Sequence, residues 1–249
     1  MSAVGLLLGL SSSLVLLIIF LFPHPYIFFG ILVAWCSLLV WLCVKKKLGK
    51  RSMVLLLVTA LSFVVLLLLV ESTVLKLFFV VMVGCVFAFL WYWLTRVEHS
   101  GVISLAHKPL RRIVAAVYAC DMYACITALF ALYLYFPQVP FMIISITGGL
   151  VASLLAFMIW NLYFSVPIRS VLIWMVVLAL GIIELMWVMQ LLPFGYLAIG
   201  FLLSWIWYVV QLFIRFRLSP QGIVWRKQIG FLISNAVLYG LVLYVIKWI

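Results

Sequence analysis

The chain has 249 residues, is 70% hydrophobic and only 8% charged, and carries a formal net charge of +12. A soluble domain carries about a quarter charged residues, so this composition excludes a water-soluble globular fold: there is too little polar surface to cover it. The positive balance does not indicate a nucleic-acid-binding protein either, because the cations fall in short blocks between long apolar runs.

A spanning helix needs about 20 apolar residues to cross a hydrocarbon core of roughly 30 Å. Runs of that length fall at 3–22, 26–44, 53–70, 77–95, 113–136, 139–164, 170–192, 194–214 and 229–247. They lack the in–out alternation of a barrel strand, and in lipid each N–H and C=O must bond within its own segment. The expectation is an all-α polytopic transmembrane bundle of about nine spans, with residues 1–249 forming a single transmembrane domain.

The first run, "MSAVGLLLGLSSS", has no basic n-region and continues into a proline turn, so it reads as a retained span, not a cleaved signal peptide. Gly5 and Gly9 form a GxxxG, continued by Ser12 and Ser13, which suits a close helix contact within the chain. "FPHPY" at 22–26 closes the first hairpin, and "FPQVP" at 136–140 and "LPFGY" at 192–196 close later ones. Proline cannot continue a helix without losing a hydrogen bond. "ESTVLK" at 71–76 turns without proline and holds Glu71. In the span at 139–164, Ser145, Gly149, Ala152 and Ala156 fall within about 60° on a helical wheel, a second small-residue face.

The basic residues lie in alternate connections. Lys45, Lys46, Lys47, Lys50 and Arg51 follow the second span; Arg96, Lys108, Arg111 and Arg112 follow the fourth. Arg169 follows the sixth, and Arg215, Arg217, Arg226 and Lys227 follow the eighth, leaving only Lys76 and Lys247 on the other side. Cytoplasmic loops carry such an excess, so the N-terminus is expected in the cytoplasm and the C-terminus outside. Aromatic residues at Tyr26, Phe28, Trp91, Tyr92, Trp93, Trp225 and Trp248 fall near the expected interfaces and read as anchors.

Two acids interrupt the spans. Glu184, in "GIIELMWVMQLLPFGY" at 181–196, comes out ~12–14 Å below the external surface at 1.5 Å per residue. A charge at a helix centre costs ~2.5–3.5 kcal/mol, so Glu184 is expected either to pair with Lys247 or to stay neutral, and with Asp121 it is a candidate substrate- or ion-binding group inside the bundle. Asp121, in "VYACDMYACITALF", lies roughly 12 Å in from the cytoplasmic side, with Asn161 and Asn235 at similar depth and Gln211 about one turn shallower. These four make either a structural polar clasp or a substrate- or ion-binding layer, since polar groups in spans face the bundle interior. The stretch "RVEHSGVISLAHKPLRR" at 96–112 offers Glu98, His99 and His107 as acid–base residues, but no HExxH, GxSxG or P-loop supports catalysis. Arg111, Arg112, Arg215, Arg217, Arg226 and Lys227 are candidates for anionic lipid headgroups. All five cysteines lie within spans and read as buried thiols; no metal site and no cofactor is indicated.

Over the final third, Glu184, Trp187, Leu192-Pro193, Tyr208, Arg215 and Arg226-Lys227 give a pattern that resembles polytopic integral membrane proteins of unknown function from small-genome, candidate-phylum bacteria. That resemblance implies a bacterial cytoplasmic membrane and assigns no activity. The residues favour a small-solute or lipid-linked transporter, or a subunit of one, over two alternatives. These are a non-catalytic membrane scaffold or assembly subunit, and an enzyme acting on lipid headgroups at the cytoplasmic face. The partners expected are the bilayer, anionic headgroups and other membrane proteins, with no nucleic acid. Reporter fusions within 45–51 and within 215–228 should both read as cytoplasmic; opposite readings would overturn the nine-span threading.

Overall fold

The computed structural model describes residues 3–22, 24–100, 108–164, 168–218 and 225–245. Among these residues there is no strand, and nine helices follow one another: α1 Ala3–Leu21, α2 Pro25–Lys45, α3 Lys50–Leu69, α4 Thr73–Ser100, α5 Lys108–Tyr135, α6 Phe141–Tyr163, α7 Ile168–Met189, α8 Tyr196–Leu218 and α9 Trp225–Val245. Each is long and apolar enough to cross a membrane, and the chain is a multi-pass integral membrane protein.

Helix limits depart from the apolar runs mainly at the basic ends. α4 continues to Ser100 and α5 begins at Lys108, so most of the polar stretch expected as a 96–112 loop is helical. Arg215 and Arg217 likewise ride on the last turn of α8. Arg, Lys and Glu are good helix formers, so the helix outlasts the apolar run once the chain reaches polar surroundings. The α2–α3 connection is tight. Leu48 N–H bonds to Cys43 O and Lys47 N–H to Val44 O, with Lys47 at φ 53°. That pair of bonds is the Schellman closure, normally built on glycine at the left-handed position.

The structure divides after Asp121, inside α5, into two compact units. In the first, α1 and α4 approach at glycines. A Cβ at Gly9 would stand 2.5 Å from the Gly84 carbonyl oxygen, and one at Gly84 would strike Ser13 Oγ. Ser13 donates to Val80 O at 2.8 Å across the same seam. The small face of α1 is therefore used within the chain. α2 buries one residue per turn, Trp35, Leu39 and Cys43, and the Trp35 ring lies 5.4 Å from that of Phe87 on α4. Trp91 and Trp93 are 1% and 6% exposed. They are core residues, not the interfacial anchors expected, because the helix continues to Ser100 and leaves them below its end. Among the cysteines only Cys43 is buried; Cys85 and Cys120 are exposed on apolar helices.

In the second unit α6 is central. Ser145, Gly149, Ala152 and Ala156 are all buried, and a Cβ at Gly149 would meet Ile183 Cγ1 at 2.7 Å and the Ala179 carbonyl oxygen at 2.8 Å on α7. Toward α8 the contact is a reciprocal pair of indole bonds. Trp160 Nε1 donates to Gln211 O at 3.2 Å, and Trp207 Nε1 donates to Ala152 O at 3.0 Å. The later part of α5 meets α8 at Gly200, where a Cβ would collide with Thr127 Oγ1. α9 joins through Trp205, whose Nε1 donates to Asn235 Oδ1 at 3.0 Å and whose ring lies edge-on to Tyr239 at 5.8 Å. No residue of its span, Gln228–Val245, is buried.

Gly149→Ala should lower the unfolding free energy by about 1–3 kcal/mol, because the Ala179 backbone cannot yield as a side chain can. Gly30→Ala, with nothing within 4 Å of the new Cβ, should leave it unchanged or raise it by up to about 1 kcal/mol. Reversible unfolding of both variants in mixed micelles measures the difference.

Candidate intramembrane carboxyl site

Val114, Val117, Tyr118 and Asp121 are all buried, at spacings that put them on one face of α5. Asp121 is thus an acid on a packing face, with 0% of its surface exposed. On α3, Thr59 and Ser62 are three residues apart, so their hydroxyls share a face; both are buried. Thr59 Oγ1 donates to Asp121 Oδ2 at 3.1 Å, and Ser62 turns its hydroxyl to the same carboxyl. The second carboxyl oxygen, Oδ1, is enclosed and has no hydrogen-bond partner among the described residues.

Composition pointed to Asp121 because acids are rare in spans. It did not point to Thr59 and Ser62, although "VTALSF" holds two hydroxyls one turn apart. Span hydroxyls commonly bond back to their own helix, as Ser12 does to Leu8 O and Thr147 to Ile143 O. Only the neighbouring helix distinguishes Thr59 from these.

The three amides expected in the same layer lie in the second unit, and no hydrogen bond joins them to one another. Asn235 accepts from Trp205 and donates to Phe231 O at 2.8 Å. Gln211 is fully buried with neither side-chain amide atom partnered among the described residues, while its backbone oxygen takes the Trp160 indole. Asn161 is half-buried. Indole donors, which a depth count along single helices does not register, occupy much of this polar layer.

Glu184 is exposed, on α7. α7 ends at Met189, earlier than the apolar run, so Glu184 lies five residues, ~7.5 Å, inside the helix end. It makes no hydrogen bond or ion pair with a described residue. Its expected partner Lys247 lies outside the described residues, as do His107 and the side chains of Glu98, His99, Arg226 and Lys227. Of the basic candidates that are described, Arg111 is half-buried and Arg112 and Arg217 are exposed. The Arg215 guanidinium lies 4.2 Å from the centre of the Tyr163 ring, a cation–π stack that fixes its plane.

Chemically, a carboxyl flanked by two hydroxyls in a dry setting can hold a proton or offer an all-oxygen ligand set to a small hard cation. No cluster of three or more His, Cys, Asp or Glu among the described residues has the arrangement of a metal site. Compared with known proteins, the chain matches no family model, no curated protein and no solved structure.

Thr59→Val should cost about 1–3 kcal/mol by removing one of the two hydroxyls that meet the buried carboxyl. Combining it with Asp121→Leu should cost less than the sum of the two single changes, a coupling of about 0.5–3 kcal/mol. Unfolding of the four proteins of this cycle provides the measurement.

Proposed function

We propose that the chain is a small-solute or lipid-linked transporter, or a subunit of one, in a bacterial cytoplasmic membrane, with Asp121 as its proton- or cation-binding group. The observation that carries this reading is the enclosed Asp121 carboxyl, held by Thr59 through Oδ2 and, among the described residues, without a hydrogen-bond partner at Oδ1. A purely structural acid would be expected to use both oxygens, since each unpaired one is costly in a dry interior. Intramembrane acids commonly belong to ion and proton pathways. Most of the described residues lie in the nine apolar helices, which also suits a protein whose work is done inside the bilayer.

In this reading Thr59 and Ser62 orient the carboxyl, and Oδ1 takes up the proton or cation when its surroundings open. Gln211, Asn161 and Asn235 are the polar groups available to a solute in the second unit. Arg215, with its plane set by Tyr163, and Arg111, Arg112, Arg217, Arg226 and Lys227 contact anionic headgroups on the cytoplasmic leaflet. A scaffold or assembly subunit is the second reading, and the span of α9 favours it, because a helix with no buried residue leaves surface for another protein.

Dicyclohexylcarbodiimide, which modifies protonated carboxyls in apolar surroundings, tests the first reading without knowledge of the solute. In vesicles carrying the full-length protein, peptide mapping should find the adduct on Asp121, and sodium or raised pH should slow its formation. Asp121→Asn should abolish that adduct and any ion-driven uptake the protein supports. An Asp121 that stays unmodified while Asp121→Asn leaves uptake intact would sink the proposal.

A further inference from the structure

α7 packs against α6 and also meets α8, and it leaves one side uncovered by the described residues. Leu178, Ile182 and Met186 are buried, and Ala179 and Ile183 lie close against Gly149 of α6. On the open side Ile173, Val177, Leu180, Glu184 and Trp187 are all exposed, at spacings of 4, 3, 4 and 3. That alternation is the seam along which one helix lies against another. Within it, one turn before Trp187, is the Glu184 carboxyl.

Glu184 cannot readily reach the aqueous surface. Side chains on a helix lean toward its N-terminus, and on α7 that direction leads away from the nearer end, at Met189, toward the middle of the span. Trp187 stands one turn above, its ring edge-on to Phe141 at 5.1 Å. The acid is therefore held in the apolar layer, on an apolar seam, with no bonding partner among the described residues.

We infer that this face of α7 docks a transmembrane helix of a different membrane protein, one carrying a Lys or Arg about 7–8 Å beneath the α7–α8 turn. Charge selects the occupant. A second copy related by a twofold axis along this seam would bring carboxylate against carboxylate, whereas a cationic helix satisfies the seam and the acid together. The inference does not depend on the role given to Asp121.

The test uses the full-length protein in phospholipid vesicles with a donor fluorophore fused at its N-terminus. The probe is a synthetic Leu/Ala transmembrane peptide bearing an acceptor and one Lys at the stated depth; a control peptide has Leu there. Energy transfer should show the Lys peptide associating about five- to thirtyfold more strongly than the control. Glu184→Gln should reduce it to the control level, with Glu184→Asp retaining part of the preference. Unchanged thermal unfolding of both variants would show that they remain folded. Equal association of the two peptides, or a Lys preference that survives Glu184→Gln, would overturn the inference. So would self-association of the wild-type chain that disappears in Glu184→Gln, because the occupant would then be a second copy.

Discussion

Where water is absent, an amide without a partner has nowhere to turn, and the rest of this molecule follows from that condition. It makes every span a helix, and it changes what joins helices, because lipid tails are as apolar as leucine and give apolar side chains little reason to leave them. What remains is close approach and directed hydrogen bonding. The chain uses both: Gly9 against Gly84 and Gly149 against α7 bring backbones together, and Trp160 and Trp207 bond across α6 and α8 to carbonyl oxygens. A helix carbonyl has two lone pairs, so it can accept an indole without giving up its own ladder bond.

The two acids within the spans meet the same condition in opposite settings. Asp121 is on an inward face and is met by hydroxyls from α3. Glu184 is on an outward face and is met by nothing among the described residues. Among the described residues each keeps some hydrogen-bonding capacity unused, one inside its unit and one at a surface. On the two proposals made above, this difference in address separates the group that exchanges a small ion from the one that recruits a neighbour.

The architecture was legible in the sequence because hydrophobic length is a coarse signal that survives small errors in boundaries. Both acids stood out because carboxylates are scarce among apolar residues. The partners of Asp121 were not legible, since a threonine that reaches another helix looks the same in sequence as one that bonds its own. Trp91 and Trp93 were misread because tryptophan suits an interface and a core equally, and only the continuation of α4 to Ser100 decides between them. The polar layer assembled from helix depths could not register the indoles of Trp160 and Trp205, because depth along one helix says nothing about what lies beside it.

Lys47 occupies a backbone conformation that costs a side-chain-bearing residue roughly 1–2 kcal/mol relative to glycine, and Gly49 stands only two positions away. Three lysines in a row across this bend put cationic charge where geometry alone would prefer none. A bend this short also allows the two flanking spans little room to separate, so α2 and α3 would enter the bilayer as one hairpin. The charges would hold its tip back while the apolar arms move forward, and the direction of threading for everything downstream would be set there, within the first seventy residues.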